Sequence, residues 1–440
     1  MNESQKKILK YLDLWGNTSR FDGTAMIYQK NTAPIIKSYG FADVLHHVKN
    51  NHETIYHVGS FTKLFTAVSI MILYEQGKIK LDDRLSMYID EFQHANNMTI
   101  HQLLTHTSGI PDHTQDALYD PNEIMTYEMM MDRINNKELH FMPGEAYAYS
   151  NTNYVILARM IEKLSKMDIE TFYKQHIFHV LGLNSTGVTK SSELMERFAK
   201  GYTYSGEGRI PSKTFHMSGA YGSGFLYSNA HDVYTFITAL LKHEIISKES
   251  LDILLKPYHY IWYLNAHAGY GCTILNTEGS QMSSNGLIYG YTFQLWADVK
   301  NERGIILLSN NDTTAIGRMT EGIIQILNNL EPKHERFEDD VINDVASDLL
   351  KAIAGSYRCQ HTGAMFHITY HMDKLYVDQL WAQTYQEKLF ELVCVYKSTN
   401  KYIFILPDCE GSFEFTFDDI GCITHASYTY DLFTLPYEKI

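Results

Sequence analysis

No run of about 18 apolar residues occurs anywhere in the 440-residue chain, which argues against a transmembrane helix. The amino terminus, MNESQKKILKYLDLWGN, also lacks an uninterrupted apolar signal core; Ile8, Leu12 and Trp15 instead suit one face of an amphipathic helix. As written, the sequence predicts a cytoplasmic protein, or an extracytoplasmic one if the chain is a trimmed piece. Cysteine is scarce: Cys272, Cys359, Cys394, Cys409 and Cys422 form an odd set without CxxC spacing. That pattern predicts reduced thiols, with neither a disulfide framework nor a zinc site. The 21 histidines are scattered, and the cluster of His46, His47 and His52 has no matching carboxylate or cysteine set, so no metal is expected. Basic residues are outnumbered 37 to 51, and a net charge of -14 disfavours nucleic acid and other polyanions while favouring neutral or cationic substrates. There is no low-complexity tract or internal repeat. With 45% hydrophobic residues, the chain can fill a large core, and its length suggests two units.

What is present begins at Val58-Gly59-Ser60-Phe61-Thr62-Lys63. From Ser60 to Gln76 the residues read as a helix that could be buried on all sides, closed by Gly77. Positions i and i+3 share a helix face, so the Lys63 amine can lie beside the Ser60 hydroxyl. Desolvation lowers a lysine pKa, and a neutral Lys63 near pH 7 could take the serine proton. The pattern is that of an activated nucleophile for acyl transfer. The same SxxK spacing recurs at Ser4 and Ser398, but those serines lie in a charged amino-terminal segment and in a polar turn between strand-like runs. A plainer reading of Ser60 is an N-cap beside a snorkelling lysine. A second constellation, residues 141–154, opens on Pro143-Gly144, displays Tyr149 and Asn151 on a loop, and leads into an apolar helix over residues 155–164. Read without further context, Tyr149 is one of 32 tyrosines and packs in that loop.

These stretches, together with residues 23–42, Leu103-Leu104-Thr105-His106-Thr107-Ser108-Gly109-Ile110-Pro111, Leu181-Gly182-Leu183, residues 219–228 and Leu308-Ser309-Asn310-Asn311, resemble the serine β-lactamase and penicillin-binding-protein superfamily. The similar branch is the class C β-lactamase-like one, with family VIII carboxylesterases and D-amino-acid peptidases. The resemblance covers roughly residues 20 to 330. It implies an α/β protein of the α+β type: an antiparallel sheet flanked by helices, with an all-helical subdomain. It further implies Ser60 as the acylated nucleophile, Lys63 as its activating partner, Tyr149 as the residue completing proton transfer, and Asn151 as a contact to the substrate amide. The branch's third motif, Lys-Thr-Gly or His-x-Gly, is matched by Ser284-Asn285-Gly286-Leu287, so Gly286 is kept and the basic residue is replaced by Ser284. The backbone N–H groups of Ser60 and Leu287 would form the oxyanion hole. In relatives the cation of this motif contacts a substrate carboxylate, and a serine cannot make that charge-assisted bond. His106 is expected to brace the active-site loop.

The stretch Asn328-Asn329-Leu330-Glu331-Pro332 breaks the last helical pattern and places a boundary at 335/336, giving domains 1–335 and 336–440. After a helix over 341–354, the period changes to two. Six strands are expected at 365–370, 374–377, 389–395, 402–406, 413–417 and 423–430, forming a small barrel or sandwich. The functional expectation is a serine hydrolase cleaving an ester or small amide, with no cofactor implied. Its partners would be a small-molecule ester, amide or short peptide, and its oligomeric state is open. Two alternatives remain: a penicillin-binding protein or β-lactamase acting on D-alanyl peptides or β-lactams, and a catalytically silent binding or sensor protein.

Overall fold

The structure, a computed structural model, describes residues 2–17, 21–189, 196–205, 208–332, 342, 344–359, 365–378, 389–405, 412–418, 420–430 and 433–440. The chain falls into two compact units. One comprises Leu12–Gly201 and Ser212–Asp312; the other comprises Met1–Tyr11, Tyr202–Pro211 and Thr313–Ile440. The expected boundary at 335/336 lies outside the described residues. Helix α1 (Glu3–Asn17) buries Ile8, Leu12 and Trp15 along one face.

The first unit is built on an eight-stranded sheet. Its strands are β1 (Gly23–Tyr28), β2 (Ile35–Tyr39), β3 (Tyr260–Ile261), β4 (Ala266–Ala268), β5 (Thr273–Ile274), β6 (Gln281–Ile288), β7 (Tyr291–Asp298) and β8 (Arg303–Ser309), in the order β3-β4-β5-β6-β7-β8-β1-β2. Every neighbouring pair is antiparallel. All eight residues of β7 are buried, as suits a central strand covered on both faces. The outer strand β2 alternates only weakly and exposes Ile36 and Lys37.

Helix α2 (Thr62–Glu75) is buried from Thr62 through Leu73, because TKLFTAVSIMIL offers no polar face to water. Gly77, at φ +67°, supplies the left-handed residue that ends it. Phe61, just ahead of the helix, stacks on Phe293 of β7 at 4.5 Å, and Phe65 stacks on Phe236 at 3.9 Å. The first pair holds the start of α2 against the sheet and the second packs it on the helix Ala230–Leu241, each fully buried ring contributing roughly 1.5–3 kcal/mol. From Thr62 to Leu181 the described elements are all helices, among them α3 (Ile100–Leu104), α4 (Tyr127–Asn135) and α5 (Asn151–Ser165). They form the all-helical part of the α/β fold.

The helix expected at 155–164 thus starts four residues early, at Asn151. Its first turn reads Asn-Thr-Asn-Tyr, and the polar side chains are buried by specific partners: Thr152 Oγ1 donates to Pro111 O at 2.8 Å, and Ser108 Oγ donates to Asn153 Oδ1 at 2.7 Å. Hydrophobic periodicity cannot register a turn buried through hydrogen bonds.

In the second unit the carboxy-terminal strands close into an eight-stranded barrel. They are β9 (Gly355–Cys359), β10 (Met365–His371), β11 (Lys374–Asp378), β12 (Leu389–Lys397), β13 (Lys401–Ile405), β14 (Ser412–Phe417), β15 (Ile423–Tyr430) and β16 (Phe433–Lys439). The interior is filled by Tyr357, Phe366, Phe404, Phe413, Phe415, Tyr428 and Tyr437. The barrel is chosen over the sandwich because two strands beyond the six expected, β9 and β16, pair with each other. Pro436 lies inside β16, opposite Ser427 in the ladder. Met372 and Asp373 both take positive φ, forming the tight turn between β10 and β11. The helix expected at 341–354 is shorter, Ser347–Ile353, and Ile342 instead donates its N–H to Cys394 O at 2.9 Å.

Candidate active site

Gly59, at φ +50°, turns the chain into a single 3-10 turn, Gly59–Phe61, that feeds α2. Lys63, one turn on, is only 3% exposed, and its Nζ lies 3.1 Å from Ser60 Oγ. The same Nζ donates to Asn151 Oδ1 at 2.8 Å and to the Ser223 carbonyl at 2.8 Å. On the other side of the hydroxyl, Tyr149 Oη lies 2.8 Å from Ser60 Oγ. Four of the side chains picked from the sequence are therefore in one hydrogen-bonded cluster. Tyr149 sits on the loop, as expected, whereas Asn151 is the first residue of α5 rather than a loop residue. Tyr149 is 39% exposed, so its ring borders open space while its hydroxyl is committed to Ser60.

Burial sets the charges. Desolvation lowers the Lys63 pKa to about 7, and the Asp112 carboxylate partly opposes that fall. Desolvation raises the Tyr149 pKa above its ordinary value, so at neutral pH the phenol keeps its proton. His106 is pushed down to about 3 by burial and by the neighbouring Lys63, and is neutral.

His106 adopts a left-handed conformation, φ +56°. Its Nδ1 accepts the Ser150 N–H at 3.1 Å and its carbonyl accepts the Ala148 N–H at 3.0 Å, so it holds the chain on both sides of Tyr149. Its ring stacks on that of Tyr149 at 4.6 Å. Asp112, which the sequence reading passed over, is buried and accepts from Asn151 Nδ2 at 2.9 Å. The only signal for it was position: it follows directly on the Leu103 to Pro111 phrase.

Strand β6 passes beside the nucleophile. Its hairpin to β7 places Ile288 opposite Tyr291 across the two residues Tyr289-Gly290, and Gly286 opposite Phe293. In an antiparallel ladder closed by a two-residue turn, Ile288, Gly286 and Ser284 bond toward β7, and the N–H of Leu287 faces the opposite edge. That edge is free of strand pairing from Ser284 onward, because β5 reaches only Met282 and Ser283. Gly59 lies against it: a Cβ on Gly59 would come within 3.0 Å of Leu287 N, and one on Gly286 within 2.0 Å of Val58 O. Both glycines are needed for this approach. Ser284 is buried on the same strand face as Gly286, and the hydrogen bonds of the cluster run without it. Leu287 is 45% exposed on the other face. The decoy serines behave differently: Ser4 lies on α1, and Ser398 occupies the turn between β12 and β13, donating its N–H to Lys401 O at 2.9 Å. Among the described residues no group of histidine, cysteine or carboxylate side chains could hold a metal ion, and Cys272, Cys359 and Cys422 are free thiols. No helix among the described residues is long and apolar enough to cross a membrane.

Residues 12–325 match the family described as beta-lactamase. A candidate penicillin-binding protein of Bacillus subtilis (strain 168), PbpX, is 30% identical over 327 residues, which cover 74% of this chain and 79% of that protein. Among solved structures, the octameric penicillin-binding protein homologue from Pyrococcus abyssi is similar with a TM-score of 0.68 at 23% identity, covering 98% of this chain and 99% of its own. The D-amino acid amidase from Ochrobactrum anthropi SV3 complexed with D-phenylalanine has a TM-score of 0.66 at 21% identity, over 74% of this chain and 99% of that one. At those identities the two structures speak for the shared fold. With its helix-flanked antiparallel sheet and a family match over residues 12–325, the chain belongs to the beta-lactamase family of serine hydrolases.

Proposed function

We propose that the protein cleaves esters or small amides through an acyl-enzyme on Ser60. The observation that carries this reading is the set of partners around Lys63 Nζ. Asn151 Oδ1 and the Ser223 carbonyl can only accept hydrogen bonds, whereas the Ser60 hydroxyl can also donate. When Lys63 loses a proton, its two remaining N–H bonds satisfy the two obligate acceptors and its lone pair is left facing Ser60. Lys63 is then the base that takes the serine proton as Ser60 attacks the carbonyl carbon. Tyr149, a phenol that stays protonated at neutral pH, passes a proton to the departing alcohol or amine and afterwards helps to activate the incoming water. The N–H groups of Ser60 and Leu287 would receive the oxyanion. Asn151 would meet the substrate's amide or carbonyl edge. No cofactor takes part in these steps.

The test is intact-protein mass spectrometry with a fluorophosphonate probe, alongside burst kinetics with p-nitrophenyl acetate. We expect an adduct on Ser60 and a burst that Ser60→Ala abolishes; absence of an adduct on the wild-type protein would reject the reading. The likeness to PbpX favours a second reading, action on D-alanyl peptides or β-lactams. Ser284 weighs against it, because it takes the motif position whose cation holds the carboxylate in the branch this chain resembles, and a charge-assisted bond is about twice as strong as a neutral one. Labelling by a fluorescent penicillin that simple esters fail to compete away would favour that second reading over the first.

A further inference from the structure

We propose that Asp112 is a positioning residue for acylation: its carboxylate turns the Asn151 carboxamide so that Oδ1 faces Lys63, and supplies the counter-charge for that lysine. The inference rests on the acyl-enzyme reading above and extends it to a residue outside the motifs.

The geometry leaves the Asn151 amide one orientation. Asp112 Oδ2 accepts from Nδ2 at 2.9 Å, and Lys63 Nζ donates to Oδ1 at 2.8 Å. A carboxylate offers only acceptors and an ammonium only donors, so turning the amide over would break both bonds. Asp112 is itself fixed. Its Oδ1 accepts from the Thr114 N–H at 3.0 Å and from Thr114 Oγ1 at 2.9 Å, capping the short turn His113–Gln115. The carboxylate is buried and cannot swing toward water.

The charge argument depends on what else faces Lys63. His106 and His113, from the loop that carries Asp112, are held neutral by burial. Tyr149, from the following loop, and Tyr154, on α5, approach Lys63 with their rings at 4.8 and 5.7 Å, and both phenols are pushed up by burial. Ser223 contributes a carbonyl. Among the described residues named here Asp112 is thus the formal charge facing Lys63, and it favours the protonated form of the lysine against the larger effect of burial.

The experiment is the pH profile of kcat/KM for p-nitrophenyl acetate in Asp112→Asn, Asp112→Ala and Asp112→Glu. Asp112→Asn keeps an acceptor for Asn151 and removes the charge, so its acid limb is expected to move to lower pH by about one unit, with a plateau within about tenfold of wild type. Asp112→Ala loses the acceptor as well, and its plateau should fall about a hundredfold. An acid limb of Asp112→Asn that stays put or moves up, or a plateau equal in all variants, would overturn the proposal. Asp112→Glu carries the test if Asp112→Asn does not melt cooperatively: it retains the charge, so its limb should stay at the wild-type position while the plateau drops, and a displaced limb overturns the inference. The fluorophosphonate adduct on wild-type Ser60 separates the two levels. No adduct removes the acyl-enzyme reading itself, whereas an adduct combined with an unmoved Asp112→Asn limb removes only the role of Asp112.

Discussion

Lys63 shows how one residue ties function to a cost in stability. In the unfolded chain its amine titrates near its ordinary value, while in the folded protein desolvation holds it at about 7. Between those two values the unfolded state binds a proton that the folded state does not, so stability attributable to this residue rises with pH across the window and is flat below it. The difference in unfolding free energy between wild type and Lys63→Met should therefore change in favour of wild type by about 1.4 kcal/mol per pH unit above 7. Denaturant melts of the two proteins at several pH values measure this directly, and a constant difference would mean that Lys63 is charged in the folded state. The same residue predicts that acylation by wild type rises with pH through about 7, where the neutral amine becomes available. Lys63→Met should lose the limb along with most of the rate.

At the scale of elements, the site is the meeting of two helix starts, those of α2 and α5, with the loop that carries Tyr149 and with strand β6. The strand is the sensitive partner. Gly286→Ala would place a methyl group 2.0 Å from the Val58 carbonyl, a backbone atom that cannot rotate away. Strand β6 should then shift off the Gly59 turn and take the Leu287 N–H with it. Loss of one oxyanion donor costs about a hundredfold or more, so Gly286→Ala should show that loss in acylation rate, while Asn285→Ala, exposed on the other face, should stay near wild type. Much of this was legible beforehand. Helix α2 announced itself because twelve successive residues tolerate burial, and Gly77 marked its end; the SxxK spacing then followed from helical geometry. Asn151 and Asp112 were harder to read, for a common reason. Their placement depends on hydrogen bonds between segments distant in the chain, such as Asn151 to Asp112 and Ser150 to His106, and polar pairing of that kind leaves no period in the sequence. Strands β9 and β16 were missed because they are defined by pairing with each other at opposite ends of the barrel sequence.

At the scale of the whole molecule there are two separate cores, one around α2 and β7 and one inside the barrel. Phe415 is fully buried in the second, within reach of the Tyr357, Phe404 and Phe413 rings. Phe415→Ala should destabilise the barrel by about 3–5 kcal/mol. In calorimetry, it should lower one transition and leave that of the catalytic unit in place; a uniform shift of a single transition would show that the two cores melt as one. Among the described residues the barrel interior is filled by packed rings. Its closure has a further consequence. A barrel has no unpaired rim of peptide groups along its flank, so another polypeptide cannot be recruited there by adding a strand. The open sheet differs, because among the described residues it ends at β2 on one side and at the two-residue β3 on the other, with no further strand paired beyond either. An extended peptide stitched on through main-chain bonds therefore finds a seam at a margin such as β2, and none on the flank of the barrel.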